Sequence, residues 1–198
     1  MKFKPFYLIL ALIIIAGVVL FNSYNTIQSD DEKVTASWSE VINQYQRRAD
    51  LVPNLVSTVK GYTDHEKNIL IEVTEARAKV GSIQVNSDQL TDPIVMAKFQ
   101  QAQQQLSSSL SRLLAVSENY PELKASSLYQ DLMVQLEGTE NRIAVARGRY
   151  IQAIQNYNSY IRRLPGKLIA NYYDLASKAQ FTVENEKQIS TAPIVKFN

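Results

Sequence analysis

The chain has 198 residues, 45% hydrophobic and 20% charged, with a formal charge of +2 and no cysteine. That balance describes a folded chain of about one ordinary domain, and a charge so small and scattered does not make a nucleic-acid surface. The missing cysteine excludes disulfides, a thiol nucleophile, a thiolate metal site and a lipoprotein anchor, and six glycines with no GxGxxG or Walker pattern exclude a glycine-rich phosphate cradle.

The first element is an uninterrupted apolar run, "FYLILALIIIAGVVLF", residues 6–21. Roughly sixteen residues fall short of the ~20 that cross a hydrocarbon core, and "NSYNTI", residues 22–27, extends the run through the interface, so the anchor is expected over residues 6–26. A cleaved signal peptide is the rival, but Leu20, Phe21, Asn22 and Ser23 do not make a small-residue cleavage site, so the run reads as a signal anchor. Lys2 and Lys4 precede it, while Asp30, Asp31 and Glu32 follow it before Lys33. The positive-inside rule then keeps residues 1–5 in the cytoplasm and places the body, residues 27–180, outside.

From Val34 the apolar positions step by four and three: Val34, Trp38, Val41, Tyr45, Arg48, Val52, Leu55, Val59, Tyr62, Glu66, Ile69, Val73, Ala76, Val80. This predicts one helix of about 46 residues, some 70 Å long, whose seam only Arg48 and Glu66 interrupt. Asp92 and Pro93 read as the cap and first residue of a second helix, residues 93–120, with a seam through Phe99, Leu106 and Leu113. Ser127 and Gln130 suggest a capping box for a third, with a seam from Tyr129 through Ile143 and Tyr150 to Leu164. Pro165 opens a short fourth over residues 167–178, and the tail, residues 181–198, reads as extended. The expected class is all-α: a transmembrane helix followed by an antiparallel bundle of three long helices and a short fourth.

Counting rise per residue then places the polar motifs. If the first helix climbs from the membrane to Val80, the second descends to about the level of Val52 and brings "SENYPELKAS" beside "QRRADLVPNLV". The third climbs again and sets "TENRIAVARGRYI" beside "GYTDHE". A buried Arg48 needs a carboxylate, with Glu118 the first candidate and Glu140 the second. Pro53 frees the carbonyl of Ala49, for which Lys124 or a water is the expected donor. Arg47, Arg48, Asp50, Pro53, Glu118 and Glu140 are therefore expected to form a polar cluster, read first as a structural clamp and second as a ligand site.

At these same residues the sequence resembles the LemA family. "ASWSEV", "QRRADLVPNLVSTVKGYTDHE", "EARA", "SENYPELKAS", "TENRIAVARGRYI" and "YNSYIRRLP" match its motifs in order, with "YN" at residues 24–25 before them. The sequence departs from the family pattern at "YIQ" from Tyr150 and at "RRLP", and matches loosely beyond Pro165. The resemblance implies a bacterial membrane protein with one N-terminal anchor and a helical bundle, in a family with no established enzymatic activity. Some of its members are magnetosome-membrane proteins linked to membrane remodelling.

The functional expectation is a membrane-anchored scaffold or adaptor without cofactor or metal, not an enzyme, in the bacterial inner membrane. The alternative is an extracytoplasmic sensor or accessory subunit of a membrane enzyme or transporter, with a ligand near Pro53. Asp64, His65 and Glu66 are consecutive and diverge on a helix, so they make no zinc motif, and Glu66, Glu118 and Glu140 sit among enough arginines to favour ion pairs over a metal. Residues 27–45 are expected to project as a stalk of about 30 Å that no other helix reaches. Its stripe of Val34, Trp38, Val41 and Tyr45 would then be buried between copies, making the expected partners the bilayer, a second copy of the chain and a membrane protein. Folding of "APIVKF" over the stripe is the intramolecular alternative.

Overall fold

The computed structural model describes residues 5–63 and 66–181, which form six α-helices and one 3-10 turn, with no strand among them. The longest apolar periodicity gives the longest helix: α1 (Pro5–Lys60) is one unbroken helix of 56 residues that passes through Pro53. Its start is exposed on all sides, from Phe6 at 67% to Phe21 at 67%. One turn further on the environment reverses, with Ser23 and Ile27 each only 1% exposed. The polar extension expected to carry the span to residue 26 thus already belongs to the folded body.

The predicted single helix over residues 34–80 is not formed. The chain leaves α1 at Gly61 and re-enters a helix at α2 (Lys67–Gly81). The seam's phase runs through "GYTDHE" without a slip, which is why the reversal leaves no mark in the periodicity. The burial does mark it: Tyr62 turns outward and Thr63 is buried in its place. Asp64, His65 and the tail beyond Phe181 lie outside the described residues, and so do the expectations placed on them.

Because α2 turns back, every later element is displaced. Arg77 of α2 reaches Ala49, and Val85 beyond it accepts a hydrogen bond from Trp38, so the chain retraces α1 toward its start. A 3-10 turn (Ser87–Thr91) leads into α3 (Pro93–Ser117), capped as expected: Asp92 Oδ1 accepts from the amide of Ile94 at 2.8 Å. Along α3, Phe99 packs on Trp38, Gln103 meets Arg48 and Arg112 pairs with Glu72, so this helix rises along α1 where it was expected to descend. The short α4 (Pro121–Ala125) turns the chain into α5 (Ser127–Ile161). Ser126, not Ser127, holds the cap position, and Gln130 bonds instead to the carbonyl of Lys124.

The 35-residue α5 decides the shape of the lower half. Glu140 meets Arg48, Arg142 meets Gln44, Arg149 meets Glu40 and Tyr160 meets Ser23, so α5 descends the length of α1 to its exit from the body. There is therefore no bare stalk. The last helix, α6 (Gly166–Tyr172), ends earlier than expected. It folds tightly against the end of α5 because position 166 is glycine, where a Cβ would collide with the Tyr160 carbonyl and ring. Beyond it, Asn158 grips both backbone groups of Lys178, at 2.8 and 2.9 Å, and Ala179 donates to the carbonyl of Leu90. This strap lays Phe181 on Trp38 and Tyr150.

Two apolar clusters result. The lower one gathers Ile27, Val34, Trp38, Val41 and Tyr45 of α1 with Phe99, Tyr150 and Ile154. The upper one gathers Val52, Leu55 and Val59 with the inner faces of α2, α3 and the start of α5. Each large apolar side chain fully buried this way contributes about 1.5–3 kcal/mol.

Candidate functional site

Between the two clusters lies a single polar layer centred on Arg48, one helical turn from Tyr45 below and Val52 above. Arg48 is 1% exposed, and its position on the seam leaves it no route to water. Its Nη1 donates to Ser107 Oγ at 2.7 Å and to Glu140 Oε1 at 3.0 Å. Its Nη2 donates to Gln103 Oε1 at 2.6 Å and to the Gln103 carbonyl at 3.2 Å. Below, the guanidinium stacks over the Tyr45 ring at 5.1 Å. The Nε is buried and unpartnered among the described residues. Arg48 therefore ties α1 to α3 and α5 at one level, and a planar fork with five donors can serve three neighbours in a way an ammonium cannot.

The proline is answered from the other side. Pro53 has no N–H for the carbonyl of Ala49, and that carbonyl accepts instead from Arg77 Nε of α2 at 2.8 Å. The donor is thus an arginine of the retracing helix, not Lys124. Lys124 pairs locally with Glu118, which is exposed and remote from Arg48. Of the two carboxylates considered for Arg48, the partner is Glu140. The polar motifs are exchanged relative to expectation: "TENRI" faces Arg48, and Tyr120 of "ENYPE" donates to Glu66 at 3.2 Å. The reversal between α1 and α2 inverts α3 and α5, and the exchange follows from that inversion.

The remaining cluster residues do not converge. Arg47 and Pro53 are exposed on the outside of α1, and Asp50 accepts a hydrogen bond from Gln46 on the same surface. Glu66, Glu118 and Glu140 occupy three separate places, and no group of three His, Cys, Asp or Glu among the described residues could hold a metal ion. Gln103, Ser107 and Arg77 were missed in the sequence. The first two follow the seam residues Ala102 and Leu106 by one position, a flank that periodicity alone leaves as surface.

The stripe assigned to contacts between copies is covered within the chain. Val34 and Val41 are fully buried, and Trp38 donates its indole N–H to the Val85 carbonyl at 3.0 Å while packing on Phe99 and Tyr150. Tyr45 packs edge-on against Phe99. Long α5 and the Phe181 strap supply the cover that the rise count had denied. Burial raises the phenol pKa of Tyr45, against the opposing fields of Arg147 and Arg48, and burial alone raises that of Tyr150, whose hydroxyl has no hydrogen-bond partner among the described residues.

Beside Ala49 opens a cleft of about 530 Å³ between α1, α2 and the start of α3. Tyr45, Phe99 and Ile83 form apolar walls, Gln46 and Gln103 supply amides, and Arg77 is the one charged lining residue among the described residues.

An all-helical protein whose first helix runs from an exposed apolar segment into a core pinned by a buried arginine is the class these features define. Residues 37–197 match the model of the LemA family, and the chain belongs to that family. It is similar to Protein LemA of Metamycoplasma hominis, 24% identical over 94% of this chain and 82% of that protein. It is also similar to magnetosome protein MamQ 2 of Paramagnetospirillum magneticum, 27% identical over 89% of this chain and 70% of the relative. Magnetosome protein MamQ of Magnetospirillum gryphiswaldense is 25% identical over 96% of this chain and 76% of its own length. These relatives and the apolar helix are consistent with a membrane anchor.

Proposed function

We propose that the protein is a membrane-anchored scaffold or adaptor of the bacterial envelope: an antiparallel helical bundle, without catalytic activity of its own, held on the inner membrane by the start of α1. The observation that carries this reading is the continuity of α1. Its exposed apolar residues and its buried core residues belong to one unbroken helix, so the body is joined to its anchor without a linker. Such a joint suits presentation of a fixed surface at a fixed height and orientation. On the outer side of α5, Val134 and Val145 are 70% and 54% exposed, and their spacing of eleven residues returns them to the same face. That face is where a membrane-protein partner is sought.

The body is placed outside the cytoplasm, on the strength of Lys2 and Lys4 before the anchor and the acids after it. A cysteine at Gln84 should react with an impermeant maleimide once the outer envelope is opened; labelling only after lysis of the inner membrane would reverse the orientation. The scaffold reading itself is tested by photocrosslinking from Val134 and Val145 in native membranes, followed by mass spectrometry. It expects a discrete heterologous protein adduct from both positions, and adducts only to lipid would count against it. The sensor reading draws on the cleft beside Ala49. Gly81 lines that cleft and a Cβ there meets nothing within 4 Å, so Gly81→Leu is the variant chosen to narrow the cleft, with unchanged Trp38 emission as the check that the body is folded. A scaffold keeps its crosslinks in this variant, whereas a ligand-dependent sensor loses or alters them.

A further inference from the structure

The end of the body nearest the anchor has a composition that burial does not explain. α5 descends until Tyr160 bonds Ser23 at 3.3 Å, which puts the α5–α6 turn at the level where the apolar run ends, about 3 Å below at 1.5 Å per residue. α6 is held at the same level, with the Tyr173 ring 5.4 Å from that of Tyr24. Leu164, Leu168, Tyr172 and Tyr173 are 71%, 56%, 82% and 54% exposed there. Among them stand Arg162, Arg163 and Lys167, all exposed and without a carboxylate partner among the described residues. No acid occurs from Tyr160 to Tyr173, nor in the facing stretch of α1 before Asp30.

A second observation points the same way. Since Ser23 is already inside the body, the lipid-facing apolar helix is limited to residues 6–21, about 24 Å against a hydrocarbon core of about 30 Å. A span this short draws the flanking surface into the interface, and exposed tyrosines and snorkelling cations are the side chains suited to that depth.

We propose that the α5–α6 turn and the exposed face of α6 form a second membrane contact, docking on anionic lipid headgroups beside the exit of α1. The proposal rests on the reading of α1 as the membrane anchor. Leucine and tyrosine side chains enter the headgroup region, and the three cations meet lipid phosphates of the same leaflet. Two contacts, one spanning and one lateral, would stop the body from tilting about α1.

The chain contains no cysteine, so single cysteines can carry spin labels in the full-length protein. Labels at Leu168, at Val134 far up α5 and at Ile13 in the apolar run are compared in vesicles of phosphatidylcholine alone and with about one-third phosphatidylglycerol. Accessibility to oxygen and to a water-soluble nickel reagent reports depth. The expected result is an Ile13 label in lipid, a Val134 label in water, and a Leu168 label that moves to interfacial depth when the anionic lipid is present. In the variant carrying Arg162→Gln, Arg163→Gln and Lys167→Gln the docked-to-undocked ratio should fall about fivefold per charge removed. Unchanged Trp38 emission verifies that the variant is folded. A Leu168 label as wet as the Val134 label in both vesicles, with Ile13 in lipid, overturns the proposal. Equal immersion in both vesicles, insensitive to the triple variant, overturns its anionic-lipid basis. An Ile13 label in water refutes the anchor itself, and the proposal falls with it.

Discussion

Removing the two partners of the central ion pair should have unequal consequences, and the inequality can be worked from their surroundings. The side chain of Arg48 is 2% exposed and that of Glu140 is 46% exposed. Glu140→Leu leaves a guanidinium buried with amide, hydroxyl and carbonyl partners but no counter-charge. Breaking a buried pair this way costs about 3–5 kcal/mol, and the half-open carboxylate side places the loss near the lower end, about 3 kcal/mol. Arg48→Met removes the charge itself and keeps an unbranched chain in the same space. Glu140 then swings into water at little cost, and the main debt is the buried Gln103 Oε1 left without a donor, about 1–3 kcal/mol. The double variant should be about as stable as Arg48→Met alone, since a buried methionine has no use for the carboxylate. The assay is thermal unfolding of the full chain in mild detergent by circular dichroism, where ~1 kcal/mol moves the midpoint by about 2–4 °C. If the two losses add, or if Arg48→Met is the worse of the two, the assignment of Glu140 as the counter-ion is wrong.

Other consequences follow from the same geometry. Arg77→Met should cost about 1–2 kcal/mol by stripping the Ala49 carbonyl, and Pro53→Ala should recover more in that background than in the parent, because alanine restores the missing N–H; equal gains in urea unfolding would refute the cap. Trp38→Glu with Val41→Glu should unfold the body, visible as lost helicity, whereas a smaller but fully helical particle would return the stripe to a contact between copies. Tyr150→Phe should be neutral or slightly stabilising at pH 7, since the hydroxyl has no partner among the described residues. The folded-state pKa of Tyr150 lies above the ordinary 10.0, so the unfolded chain ionises first and stability falls as pH rises beyond about 10. Tyr150→Phe should flatten that fall, and an unaltered pH profile would contradict its burial.

The core was legible because heptad spacing reports burial directly. Val34, Trp38, Val41, Tyr45, Arg48, Val52, Leu55 and Val59 all face inward, as their spacing requires. Direction was not legible, since a helix and its reversed continuation can share one phase: Val73, Ala76 and Val80 keep the register of Val59 although α2 runs back along α1. The available sign was local: Gly61 follows Lys60, and polar residues lie within a seam that should have stayed apolar. From that one reversal came the exchange of Glu118 for Glu140, of Lys124 for Arg77, and of an uncovered stalk for a covered one. That Arg48 needs a carboxylate and that Ala49 needs a donor were both readable from single-residue chemistry; which residues supply them depended on topology.

The proposed function rests on α1 carrying a membrane anchor into the core without a hinge. Spin labels at Val19 in the apolar segment and Val134 on α5, both exposed, measure this by dipolar distance in lipid bilayers. An unbroken α1 predicts one narrow distance distribution, the same in bilayers as in detergent; a broad or two-peaked distribution would mean that the body swings freely about the apolar segment and would contradict the rigid joint on which the proposed function rests.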